Sequence, residues 1–457
     1  MVLMAPSKDT IPKCSPAQER GDIALAGTWT FNLGVTVWLA MLASILIWNI
    51  GEVRPGTIGN TGNYYRISLV AFSAVAVLMA LLRNGDRISQ SFTGPLVLLG
   101  IYGAYAMVSA LYVPEYALYS MWKALEVIID VVAIGAILSY ANSYNVAITA
   151  YRVVIAFFVI LILVYWIEAA IMPATAFAPY RGVLPYAMHG ILPVTNGNAL
   201  AFMGALAAFS CWCHASRTTK TTTRVFLWGI FLVAVATLVM AQSRTSLFGF
   251  IAAMIVYFFF TRRYMALVTI GIFLLVGWLS TSFFDVAREY VVRGQSQELF
   301  TSLSGRTQGW QAAWDLFKES PLTGHGFAAA ARLEVLGTGG ASTLHGAIFD
   351  VLVGVGLLGL VPWLVAIVWT STRLLMLTNA SHPWMQSAVG RSVHAEMLGV
   401  LTLVLLRNLT SSGLALHEHS FMVFLCVLAY GASLRREVVI HKVASNTRSA
   451  NPSRLNA

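Results

Sequence analysis

About twelve apolar runs, each roughly 17–25 residues long, limit what this chain can fold into, because such a run crosses a hydrocarbon layer of about 30 Å only as a helix. They centre on residues 31–50, 66–82, 93–113, 121–141, 150–172, 197–214, 224–242, 246–260, 265–284, 347–370, 388–406 and 417–434. A mean hydropathy of +0.73, with 58% hydrophobic and only 11% charged residues, puts the 457-residue chain outside soluble composition. The expected fold class is an all-α integral membrane protein. Roughly thirty polar and mixed residues precede the first run without a short apolar segment ending at a small-residue cleavage site, so that run is expected to remain as an anchor.

Short loops rich in Lys and Arg stay in the cytoplasm. With the N-terminus inside, eighteen Lys and Arg residues fall on the cytoplasmic side. The short outer loops receive Arg54, Arg66, Arg181, Arg244 and Arg407, and the long segment 285–343 holds Arg288, Arg293, Arg306, Lys318 and Arg332. Both termini are therefore expected inside. The net charge of +10 follows from this bias and from attraction to anionic lipid, and calls for no nucleic acid.

The expected organisation is an N-terminal tail (1–28), transmembrane helices one to nine (29–284), an outer loop (285–343), helices ten to twelve (344–434) and a basic tail (435–457). That tail is rich in Ser and Asn and is expected to be disordered. Cys14, Cys211, Cys213 and Cys426 all stay off the oxidising side, so no disulfide is expected. The run Cys211 to His214 lacks a second ligand pair and is read as lipid-facing packing rather than a metal site.

The long outer segment contains "SLSGRTQGWQAAWDLFKESPLTGHGF", Ser302 to Phe327, which is unusually charged for this chain. Ser304 can cap a helix, Trp310, Ala313, Trp314 and Phe317 recur at helical spacing, and Ser320-Pro321 ends it. The reading is an amphipathic helix lying on the outer leaflet or over a cavity. Glycine-rich turns then lead to His345 at the mouth of the tenth run.

Arginines on the outer side oppose the charge bias. Arg244 sits in a tight turn at the membrane boundary, where it either snorkels to bulk lipid phosphate or serves a site. Arg306 opens the amphipathic helix, where backbone N–H groups and the helix dipole favour an anion and a guanidinium adds a bidentate phosphate clamp; the alternative is a solvated first-turn residue. Arg181 and His189 lie in a second outer loop rich in Pro and Gly, and each reads equally as a loop group facing water. His345 is an interfacial residue or a neutral imidazole that accepts a hydroxyl proton. His417 and His419 are spaced i, i+2, off a common helical face, with no third ligand in view. Lys123, Glu126 and Asp130 share one face of the fourth run, as a functional group or as a mutually paired one. The outer segments hold no D-x-D, H-E-x-x-H or Cys/His cluster, so nothing in them requires a metal.

These residues resemble a known family. "SGRTQGWQAAWDLFKESPLTGHGF" followed by "TLHGAIFDVLVGVGLLGL" is similar to the shared signature of O-antigen ligases and lipid-linked polysaccharide polymerases, and "SRTSLFGF" and "RNLTSSGL" resemble its other motifs. The resemblance covers residues 242–434, and the first half matches only in topology. It implies a GT-C-like membrane glycosyltransferase of the bacterial inner membrane, with no metal or cofactor and with segment 285–343 as a periplasmic loop. The implied partners are an undecaprenyl-diphosphate-linked glycan donor, an acceptor glycan or lipid A core, membrane lipids and other polysaccharide-assembly proteins. In this resemblance His345 matches the catalytic histidine, Arg244 and Arg306 match diphosphate-binding arginines, and Arg181, or His189 in its place, matches a loop position. Arg407, in the late polar break, is a supporting candidate. The family commonly has Asn after the histidine, where this chain has Gly346.

Two rival readings remain. A secondary transporter or flippase-like carrier also has about twelve spans and intramembrane charges, but tends to show internal repeats, which are not seen here. An acyltransferase with a histidine base leaves the outer arginines unexplained. The topology is open to test by reporter fusions at Gly339 and Ser445, which should report opposite compartments; the same compartment for both would contradict it.

Overall fold

The computed structural model describes residues 20–48, 61–112, 117–139, 143–179, 184–279, 306–328, 344–380 and 382–450, with isolated positions at 114, 285, 289, 290 and 292. Its helices are α1 (Arg20–Ser44), α2 (Thr61–Ser91), α3 (Pro95–Ser109), α4 (Ala117–Leu138), α5 (Ser143–Ile171), α6 (Pro173–Ala176), α7 (Gly197–Ala215), α8 (Thr221–Met240), α9 (Arg244–Phe260) and α10 (Tyr264–Leu279). Then come α11 (Arg306–Glu319), α12 (Ala347–Leu377), α13 (Pro383–Gln386), α14 (Ala388–Asn408) and α15 (His419–Ala450). Each apolar run expected from the sequence overlaps one of these helices in its described residues. Among the described residues seven helices are long and apolar enough to cross a membrane: Tyr64–Arg83, Pro95–Tyr112, Tyr144–Ile171, Gly197–Ala215, Thr221–Met240, Ala347–Leu377 and Ala388–Asn408. Asn32–Ser44, Arg244–Phe260 and Tyr264–Gly277 are apolar but shorter. The chain is a mostly helical, multi-pass membrane protein.

Two helices form the centre of the bundle. Along α7 nearly every side chain is buried, and Asn196 caps its start by accepting from Ala199 N at 2.8 Å. At Gly204 the α8 backbone comes so near that a Cβ would lie 2.9 Å from Ala234 O, so this crossing needs glycine. The other central element is the first part of α15, buried from Phe421 to Tyr430. Two expectations fail here. Cys211 and Cys213 are buried inside the bundle rather than facing lipid, because α7 is enclosed by α5, α8, α9 and α14. The segment after Arg435, expected to be disordered, continues α15 as helix to Ala450.

On the inner face of α4 the charges pair with neighbouring groups, as burial favours. Lys123 Nζ donates to Glu126 Oε2 at 2.9 Å, and Arg66 approaches Glu126 Oε1 at 3.7 Å. Asp130 Oδ2 meets His417 Nδ1 at 2.6 Å, and His417 Nε2 meets Ser44 Oγ at 2.9 Å. Mutual pairing therefore describes the charged face of α4. Arg66, expected in an outer loop, sits on α2 with its Nε donating to Ser44 O at 2.8 Å.

The long helix α12 is broken at Gly356, whose φ of 56 and ψ of −159 are non-helical. The turn "PLTGHGF" fills the break. Val353 O accepts from His325 N at 2.7 Å, while Leu357 N and Leu358 N donate to Pro321 O at 2.9 Å and Leu322 O at 3.1 Å. The far end of the turn is held at Phe327, whose N donates to Ser109 Oγ at 3.0 Å and whose O accepts from Ser120 Oγ at 2.8 Å. At Gly356 a Cβ would press on the Leu322 carbonyl, in a backbone region that L residues avoid. Gly356→Ala should therefore lower thermal stability by about 1–3 kcal/mol. Gly229→Ala, with open space around it, should not. Equal melting of the two variants in detergent would contradict this.

Candidate functional site

Four chain segments meet at the end of the bundle where α9, α11 and α12 begin and α14 stops. The turn between α8 and α9 carries Gln242 with a φ of 53, and its Nε2 donates to Leu184 O at 3.1 Å and Tyr186 O at 2.8 Å. Those acceptors belong to the second loop expected on the outer side, whose described residues include a short antiparallel pair, β1 (Phe177–Pro179) and β2 (Tyr186–Met188). Glu168 fixes its exit by accepting from Ile191 N and Leu192 N, both at 2.9 Å. Arg244 opens α9 and is half-buried. Next to it, Thr245 Oγ1 accepts from Thr410 Oγ1 at 3.2 Å, which joins α9 to the loop after α14.

The amphipathic helix α11 lies on the start of α12. Ala313 and Leu316 are buried against Leu344 and Val353, while Trp310 stacks on Phe349 with ring centroids 5.4 Å apart. Trp310 Nε1 donates to Leu344 O at 3.0 Å, and so grips the residue before His345. Trp314, expected on the apolar stripe, is 48% exposed and packs on Phe317. The expected cap Ser304 lies outside the described residues.

His345 precedes α12 with a φ of 49, a conformation uncommon for a side chain this size. Its ring is exposed. Partial desolvation, and then the positive charge of Arg306 nearby, lower its pKa from 6.5. The imidazole is thus held neutral at pH 7, with a lone pair available to accept a proton. Gly346 is closely packed: a Cβ there would lie 3.2 Å from Trp310 Nε1 and 3.3 Å from Phe349 Cδ2, so both rings would have to shift slightly to admit a side chain.

Of the residues singled out in the sequence, Arg306 lies near enough to His345 for its positive charge to disfavour a protonated ring. Arg244 joins the same end of the bundle through Thr245 and Thr410. Arg181 lies outside the described residues. His189 follows β2, with its N donating to Ala176 O at 3.0 Å. Arg407 is directed into the bundle, where Nη1 donates to Ser420 Oγ at 2.5 Å and the guanidinium lies over the Phe202 ring at 4.3 Å. Sequence reasoning missed Thr410, Asp350 and the docking of "PLTGHGF" into α12. A polar residue in the first turn of an apolar helix was the available signal for Asp350.

Residues 229–364 match the family model for O-antigen ligase. The match runs from within α8 to within α12 and contains Arg244, Arg306 and His345, so it supports the O-antigen ligase family assignment drawn from the motifs. None of the curated proteins compared with the chain matches it.

The lowered His345 pKa has a direct check. Diethyl pyrocarbonate attacks the neutral ring, so its modification of His345, taken as the difference from His345→Ala, should reach half-maximum below pH 6.5. Arg306→Gln should move that midpoint upward, and an unmoved midpoint would contradict the coupling.

Proposed function

We propose that this protein is a membrane glycosyltransferase that transfers or polymerises an undecaprenyl-diphosphate-linked glycan, as an O-antigen ligase or an O-antigen or exopolysaccharide polymerase. It works in the bacterial inner membrane as a GT-C-like bundle of about twelve spans, with both termini inside and segment 285–343 facing the periplasm. The observation that carries this reading is a His345 whose pKa is lowered by partial burial and by the nearby Arg306 charge, inside the stretch that matches the O-antigen ligase model.

In the proposed reaction an acceptor sugar hydroxyl attacks the anomeric carbon of the donor. The new C–O bond forms as the bond to the diphosphate breaks, and His345 orients the hydroxyl and takes its proton. Arg244, Arg306 and Arg181 neutralise the charge that grows on the departing undecaprenyl diphosphate. Guanidinium groups suit this because they meet two phosphate oxygens at once. Helix α11, seated over the start of α12, excludes water that would hydrolyse the donor.

His345→Ala should lower glycan transfer by about 10²–10⁴ while the protein inserts at the normal level. Arg306→Lys should also be impaired, since a point charge cannot clamp bidentately. Transfer should persist in EDTA. Wild-type glycan from His345→Ala at matched expression, or activity lost to EDTA and restored by Mg²⁺, would overturn the reading.

A further inference from the structure

We infer that Asp350, together with Ser412, binds hydroxyl groups of the acceptor sugar beside His345; this rests on the proposed glycosyl transfer and assigns its acceptor side. Asp350 lies in the first turn of α12 and is only 8% exposed. The Ser412 hydroxyl and the Leu344 backbone lie near enough to act on its carboxyl, but its Oδ2 and Ser412 Oγ make no hydrogen bond of normal geometry among the described residues. Asn408 Oδ1, at the end of α14, is likewise buried without one. None of the ion pairs among the described residues includes Asp350. The charge that bears on it is a second carboxylate, Glu418. Buried acceptor oxygens in this state need O–H or N–H donors from elsewhere.

The loop that carries Ser412 is rigidly held. Tyr102 OH donates to Ala415 O at 2.7 Å, Trp363 Nε1 to Leu414 O at 3.1 Å and Phe421 N to Gly413 O at 3.1 Å. Its beginning touches the reacting end, because Thr410 bonds Thr245 and Leu409 O lies against Gly346. The unsatisfied Asp350 and Asn408 oxygens therefore sit on a fixed frame next to His345 and accept, while the Ser412 hydroxyl both donates and accepts. A diphosphate, itself rich in acceptors and without O–H groups to offer, does not match them; a sugar, which offers several O–H donors in a small space, does. This divides the site into a cationic donor side at Arg244 and Arg306 and a carboxyl-bearing acceptor side at Asp350.

The test is steady-state kinetics of the full chain in lipid nanodiscs, with donor and acceptor extracted from membranes of cells lacking the gene and each varied in turn. Asp350→Asn should raise the KM for acceptor roughly ten- to hundredfold with the KM for donor unchanged. Ser412→Ala, which removes only a hydroxyl, should shift acceptor KM in the same direction by a smaller factor. Equal changes in both KM values, lower thermal stability alone, or unchanged kinetics in an active enzyme would overturn the assignment and leave the glycosyltransferase reading standing. A wild type that transfers no glycan between these extracts would overturn both.

Discussion

The structure depends on how the backbone of α12 is satisfied where it breaks. Inside a bilayer no water replaces a missing helix bond, so an interruption at Gly356 is tolerated only if other protein groups reach the freed N–H and C=O. The turn after α11 does this, through Pro321 O, Leu322 O and His325 N. The bonds that repair α12 also anchor α11, since His325 Nε2 donates back to Leu316 O at 2.8 Å. Arg306 opens that same helix and is thereby held near His345. Catalytic placement in this reading is thus a consequence of backbone hydrogen bonding.

Much of this was legible in the sequence, for physical reasons that can be named. Apolar length marks the helices because the hydrocarbon thickness sets it. The stretch Arg306 to Glu319 reads as a helix because its apolar residues recur at helical spacing, and His345 marks the mouth of a span because polarity stops there. The break in α12 was not legible. "VLVGVGLLGL" reads as an uninterrupted apolar run, and only the docking of a distant turn shows that Gly356 leaves the helix.

Long-range pairing was hidden in the same way. Asp130 and His417 lie far apart in the chain and meet only once α4 and α15 pack. The expected disorder after Arg435 failed because polar composition lowers hydropathy without breaking helical periodicity, and α15 has no Gly or Pro from Ala432 to Ala450. Cys211 and Cys213 read as lipid-facing because apolar residues look alike whether they face lipid or protein; the close crossing at Gly204 and the surrounding helices decide the matter.

Charge is divided in two ways at this end of the bundle. Lys123 and Arg66 share the Glu126 carboxylate in the interior, whereas Arg306 acts on an exposed His345. The most direct measurement is a cryo-EM structure in nanodiscs with the lipid-linked donor bound. The diphosphate should contact Arg244 and Arg306, with the anomeric carbon facing His345. A diphosphate found instead between Arg66 and Lys123, beside the Trp122 ring that both cations flank at 5.4 and 4.5 Å, would contradict the proposed site.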